Sequence, residues 1–134
     1  MINIDWDTNF EVGHERIDSE HRVFLNLIRT ISTEVEANSN KERILRLLAE
    51  LVKYAEFHFL SEENEMLRVD YPGYDEHRHE HEKLLTKFTD MMAQFRSGAL
   101  PLDSIVEFVF LWFALHTTQV DKRLGEYIQQ NDKL

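Results

Sequence analysis

Apolar residues recur along this chain in steps of three and four. That period belongs to amphipathic helices, whereas strands alternate every second residue. The first stripe runs His21, Phe24, Ile28, Ile31, Val35, with Asp18 in "IDSEH" placed to cap its start. "ANSN", residues 37–40, interrupts the pattern as a loop. The second stripe is Ile44, Leu48, Leu51, Ala55, His58, Glu62, and "DYPGYD", residues 70–75, ends it with a Pro-Gly turn. The third is His77, His81, Leu84, Phe88, Met91, Phe95, closed by Ser97 and Gly98. Pro101 then occupies a first-turn position, and the fourth stripe is Ile105, Phe108, Trp112, Leu115/His116. This last helix is expected to end near Asp121 or Gly125, leaving "EYIQQNDKL" as a tail.

Four such helices, at about residues 18–37, 41–67, 75–97 and 101–121, are joined by short connections. They predict an all-α, up-down-up-down antiparallel four-helix bundle with an N-terminal arm over about 1–17 and a short C-terminal tail. A chain of 134 residues suits a single domain, here 1–134.

The stripes are interrupted by His and Glu where Leu would ordinarily sit. In "DEHRHEHEK", residues 75–83, the histidines fall at every second position. On a helix His77 and His81 share the apolar face, while His79 is turned about 200° from His77 and joins the solvated charges. Of the others, His21 opens the first helix and His58 and Glu62 close the second. His77 and His81 open the third, and His116 and Asp121 close the fourth. In an antiparallel bundle all seven meet at one pole. Buried together without a cation, they would leave unpaired charges and donors, each costing kilocalories. A metal removes that cost.

Composition narrows the chemistry. Without cysteine, disulfides, zinc–thiolate sites and iron–sulfur clusters are excluded, and the ligands must be nitrogen and oxygen. That absence also fits a reducing, cytoplasmic location. A net charge of −10 argues against nucleic acid or an anionic membrane as partner. No signal-peptide run opens the chain, and no apolar stretch is long enough for membrane insertion.

The ligand count points to two ions. Five imidazoles supply one bond each, two bridging carboxylates supply two each, and one oxo or hydroxo bridge serves both ions. Two six-coordinate ions then lack a single ligand, so one is saturated and the other can take a small molecule. Histidine and carboxylate with an open position suit iron better than calcium, magnesium or four-coordinate zinc. One spacing is discordant: His116 and Asp121, five apart, lie about 140° apart on an ideal α-helix. Asp121 is therefore expected to leave the helix or to sit at its frayed end.

The segments "VGHERIDSEH" (12–21), "HFLSEE" (58–63), "YPGYDEHRHEH" (71–81) and "WFALHTTQVD" (112–121) resemble the bacteriohemerythrin and hemerythrin family. The resemblance spans Trp6 to about Tyr127, and H…HxxxE…HxxxH…HxxxxD in this order is highly specific. Myohemerythrin, a member of that family, is an up-down bundle. The resemblance implies that His77, His81 and His116 bind one iron, His21 and His58 the other, and that Glu62 and Asp121 bridge them. It implies a di-iron cofactor (Fe2+/Fe3+) with an oxo or hydroxo bridge, and reversible dioxygen binding at the iron of His21 and His58 without a protein acid or base. The function implied is oxygen carriage, storage or delivery rather than enzymatic turnover. An oxygen-consuming enzyme or a signalling protein would be the further partner. The alternatives are oxygen sensing through that partner, and turnover of peroxide or nitric oxide at the open iron.

Phe24, Phe59, Phe113 and Leu115 are expected to wall the oxygen pocket. Thr117 departs from the family, which usually has an aliphatic residue there. His14 and His79 are expected to be exposed, and Trp6 and Trp112 to be packing residues. A ferritin-like di-iron oxidase would need two inward Glu-x-x-His motifs. The available ones, Glu76-x-x-His79 and Glu11-x-x-His14, face outward or precede the first helix.

Overall fold

The computed structural model describes residues 4–37 and 39–131. Four long helices form the antiparallel bundle: α1 (Glu15–Glu36), α2 (Lys41–Arg68), α3 (Tyr74–Ser97) and α4 (Leu102–Leu115). A π turn (His116–Asp121) leads from α4 into α5 (Lys122–Asn131). The arm contributes one 3-10 turn, Thr8–Phe10.

The boundaries have local causes. Asn40 accepts a hydrogen bond from the Arg43 N–H at 2.8 Å and so caps α2. Gly98 adopts the left-handed conformation at φ 85° and returns its N–H to the last turn of α3, a geometry that a side chain would strain. The start of α1 corrects the sequence expectation. The cap is His14, whose Nδ1 accepts from the Ile17 N–H at 3.2 Å. Asp18 lies inside the helix, and its carboxylate accepts from the N–H groups of Val12 (2.7 Å) and Gly13 (3.3 Å). It holds the arm against α1.

The stripes of α1, α2 and α3 face inward as their periodicity requires, with Phe24, Ile28, Leu48, Leu51, Leu84 and Phe88 fully buried. Each such side chain contributes about 1.5–3 kcal/mol by leaving water. In α4 the buried face is Leu102, Ile105, Val106, Val109 and Phe113, rotated from the stripe read from sequence. Phe108 and Trp112 flank it half-buried, and Leu115 is 60% exposed. The helix is apolar on nearly every face, so periodicity alone does not mark its inner side.

The C-terminal stretch is a second correction. Residues 122–131 are helical rather than a tail, and the remainder of the expected tail lies outside the described residues. Leu124 and Ile128 of α5 join Val12, Ile17 and Met66 in a small apolar cluster separate from the main core. A Cβ on Gly125 would lie 2.1 Å from the Val12 carbonyl oxygen, so only glycine lets the arm pass so close. Gln129 donates to the Gly13 carbonyl at 3.2 Å. Arm and α5 together close one pole of the bundle.

Candidate metal centre

All seven residues singled out from the sequence meet beneath that closed pole, each no more than 5% exposed. They form two overlapping groups of potential ligand atoms, every atom in a group lying within 4.8 Å of the others. One group holds His77, His81 and His116, the other His21 and His58, and both contain Glu62 and Asp121.

The carboxylate oxygens divide between the groups. Glu62 Oε2 lies 2.8 Å from His58 Nε2 and 3.2 Å from His21 Nε2. Its Oε1 lies 3.0 Å from His81 Nε2 and 3.3 Å from His77 Nε2. Asp121 does the same: Oδ2 is 3.1 Å from His21 Nε2, while Oδ1 is 2.9 Å from His77 Nε2 and 3.1 Å from His116 Nε2. Each acid thus offers one oxygen to each set of imidazoles.

The π turn brings Asp121 into this arrangement. In a π-helix the hydrogen bond runs over five residues, so positions five apart share a face. The Lys122 N–H donates to the Thr117 carbonyl in that pattern. Asp121 therefore neither leaves the helix nor frays: the helix itself widens by one residue. The only trace of this in the sequence is the discordant spacing.

The electrostatics are those of a site that seeks positive charge. Burial alone would raise the pKa of Glu62 and of Asp121. The imidazoles around them, foremost His58 for Glu62 and His116 for Asp121, hold both carboxyls well below their ordinary range. Burial would lower the His21 and His77 pKa, but hydrogen bonds to Asp121 and Glu62 outweigh it and push them up to about 10 and about 9. Glu62 Oε1, Asp121 Oδ1 and His81 Nε2 are buried without a properly directed hydrogen bond. His116 Nε2 and His77 Nε2 lie 3.2 Å apart, close enough for one to donate to the other or for both lone pairs to face a shared cation. These atoms converge as cation ligands do, and a nitrogen-and-oxygen donor set of this kind suits a first-row transition metal.

Two participants escaped the sequence reading. Glu20 accepts from His58 Nδ1 at 2.8 Å, and Glu63 accepts from His81 Nδ1 at 2.9 Å. Both precede or follow a candidate ligand directly in sequence, and neighbours on a helix do not share a face. Only the partner's position on another helix reveals them.

Aromatic rings pack around the cluster. Phe59 stacks on His81 with centroids 3.9 Å apart, and Trp112 stacks on His116 at 4.2 Å. Phe113 meets His21 edge-on at 5.6 Å and stacks with Phe24 at 5.4 Å. Phe24 and Phe113 thus border the group of His21 and His58, whereas Phe59 lies mainly against the other. Leu115, expected in this wall, points into solvent because the apolar face of α4 is rotated away from it. Thr117 is buried on the π turn beside His116. His79 is exposed as expected, but His14 is half-buried, drawn in by its capping role and by Glu65 at 3.6 Å. Trp6 is half-buried in the arm, with the Arg22 guanidinium 4.0 Å over its ring and Phe10 edge-on at 5.5 Å.

No helix among the described residues is long and apolar enough to cross a membrane. The chain is 29% identical to bacteriohemerythrin of Methylococcus capsulatus over 81% of this chain and 82% of that one. It is 30% identical to myohemerythrin of Riftia pachyptila, covering 87% of this chain and 86% of the other. A crystal structure of wild-type hemerythrin superposes with a TM-score of 0.83 at 27% identity, over 92% of this chain and 96% of that one. The family model of the hemerythrin HHE cation binding domain matches residues 12–128. With a buried histidine and carboxylate cluster at the pole of a four-helix bundle, this chain belongs to the hemerythrin family.

Proposed function

We propose that the protein binds dioxygen reversibly at a carboxylate-bridged pair of iron ions, for oxygen carriage, storage or delivery. The observation that carries this reading is the division of each acid, one oxygen of Glu62 and of Asp121 facing either set of imidazoles. Two carboxylates so placed favour two ions side by side over one. His77, His81 and His116 would complete the coordination of one ion, given a solvent-derived bridge. His21 and His58 would leave the other a ligand short. Bound iron would supply the reversible electron exchange with dioxygen that these side chains cannot.

The chain's own contribution is position and dryness. His21 and His58 come from α1 and α2, so the open position is fixed by the packing of two helices. Phe24 and Phe113, each nearly fully buried, border it with hydrocarbon. Excluding water there disfavours the escape of a charged, reduced oxygen species, because such an ion is poorly solvated in an apolar wall. The named relatives, a bacteriohemerythrin and a myohemerythrin, agree with this reading.

Metal analysis and visible spectra test it. Purified protein should contain about two irons per chain, and the reduced form should gain visible absorption in air and lose it again under vacuum or inert gas. A protein without iron, or one whose absorption never reverses, would overturn the reading.

A further inference from the structure

Each group of candidate ligands is tied to one carboxylate that belongs to neither. In the group of His21 and His58, the His58 Nδ1–H donates to Glu20 Oε1 at 2.8 Å. In the group of His77, His81 and His116, the His81 Nδ1–H donates to Glu63 Oε2 at 2.9 Å. His21 and His77 have no such support, their Nδ1 atoms being buried without a hydrogen-bond partner. Both ties run between helices, Glu20 on α1 to His58 on α2 and Glu63 on α2 to His81 on α3.

We propose that Glu20 and Glu63 are positioning residues, each setting the affinity of one ion pocket: Glu20 through His58, and Glu63 through His81. This rests on the two-ion reading above. A carboxylate accepting from Nδ1 fixes the tautomer, so the lone pair lies on Nε2, turned toward the cluster. It also fixes the ring plane and makes Nε2 a stronger electron donor. Since each pocket contains one histidine supported in this way, the two supports act on different ions.

The two carboxylates are not held equally. Glu20 is 9% exposed and also accepts from Arg16 Nε at 3.1 Å and Ser61 Oγ at 3.2 Å. Tyr54 fixes the backbone at the same place by donating to the Glu20 carbonyl at 3.0 Å. Glu63 is half-buried. A fixed, desolvated acceptor polarises its donor more strongly than one that water can screen, so the Glu20 effect should be the larger.

The test is a calorimetric titration of the full-length, metal-free chain with cobalt(II), followed in parallel by visible absorption. Wild type should take up two ions per chain in resolvable steps. Glu20→Gln keeps the shape and an acceptor oxygen but removes the charge, and should weaken one step by roughly 10–100-fold while the other stays within about twofold. Glu63→Gln should weaken the other step, by less. In a His58→Gln background, which retains one ion, Glu20→Gln should add nothing and Glu63→Gln should still lower the affinity. If His58→Gln does not fold, the cobalt absorption of the ion retained by each Glu→Gln variant makes the same assignment, because the pockets differ by one imidazole. Two ions with unaltered steps in both variants, or both steps falling together in either, would overturn the positioning roles alone. Uptake of one ion or none by wild type would instead overturn the two-ion reading.

Discussion

Asp121 Oδ1 lies 3.1 Å from His116 Nε2, although the two residues are five positions apart on what is otherwise continuous helix. The π turn between them is the reason, and among the described residues it makes Asp121 the only acid from the last quarter of the chain to reach the cluster. Its loss should be felt by both groups at once. Asp121→Asn keeps the size but removes the charge, and should reduce bound metal from about two ions per chain to less than one, because neither ion then has its full anionic complement. His79→Ala, on the exposed face of α3, should leave metal content at the wild-type level. Elemental analysis of the two variants decides it. Equal metal in Asp121→Asn and wild type would refute the bridging role.

The metal-free form should be destabilised by alkali and the metal-bound form should not. The folded-state pKa values of His21 and His77 stand at about 10 and about 9, above the unfolded value of about 6.5. Their stabilisation of the metal-free fold is therefore complete below about pH 6.5 and lost as pH rises through 9 to 10. Glu62 and Asp121 have depressed values, so their contribution is present above the ordinary carboxylate range and lost in acid. Metal-free protein should thus melt at progressively lower temperature as pH rises from about 6.5 to about 10, whereas metal-bound protein, whose histidines are already deprotonated, should not. Thermal melts of both forms across pH 6 to 10 check this. Parallel curves would count against it.

Gly125 should resist substitution. In Gly125→Ala the new methyl would lie 2.1 Å from the Val12 carbonyl oxygen, a backbone atom that cannot swing aside. The arm must shift, at a cost of roughly 1–3 kcal/mol. A urea midpoint unchanged from wild type would show that the arm gives way freely.

Thr117→Ile should slow autoxidation of the oxygenated form. Thr117 is buried on the π turn directly after His116, and its hydroxyl is a polar group that an aliphatic residue would lack. Following the decay of visible absorption in air compares the two proteins, and identical rates would sink the idea.

Much of the site was legible in the sequence because α1, α2 and α3 are regular. In a regular helix, spacing determines which side chains share a face, so His58 with Glu62 and His77 with His81 could be paired from numbers alone. Asp121 could not, because the switch from α to π winding lies in backbone hydrogen bonds and leaves hydrophobic periodicity almost unaltered. Leu115 was misplaced for a related reason: α4 is apolar nearly all round, so its inward face is set by neighbours. His14 capped a helix that Asp18 was expected to cap, since an imidazole nitrogen can accept a backbone N–H as an aspartate does. Glu20 and Glu63 act across helix interfaces, where a linear pattern carries no signal.

The closed pole also bears on when the site can form. His21 Nε2 and Asp121 Oδ2 lie 3.1 Å apart yet a hundred residues apart in sequence. Joining such distant positions requires closing almost the whole bundle, a slow event compared with pairing adjacent helices. On a ribosome, α1 and α2 can meet while the π turn is still unmade. On the two-ion reading, loading of both ions would therefore follow synthesis of the π turn that carries Asp121.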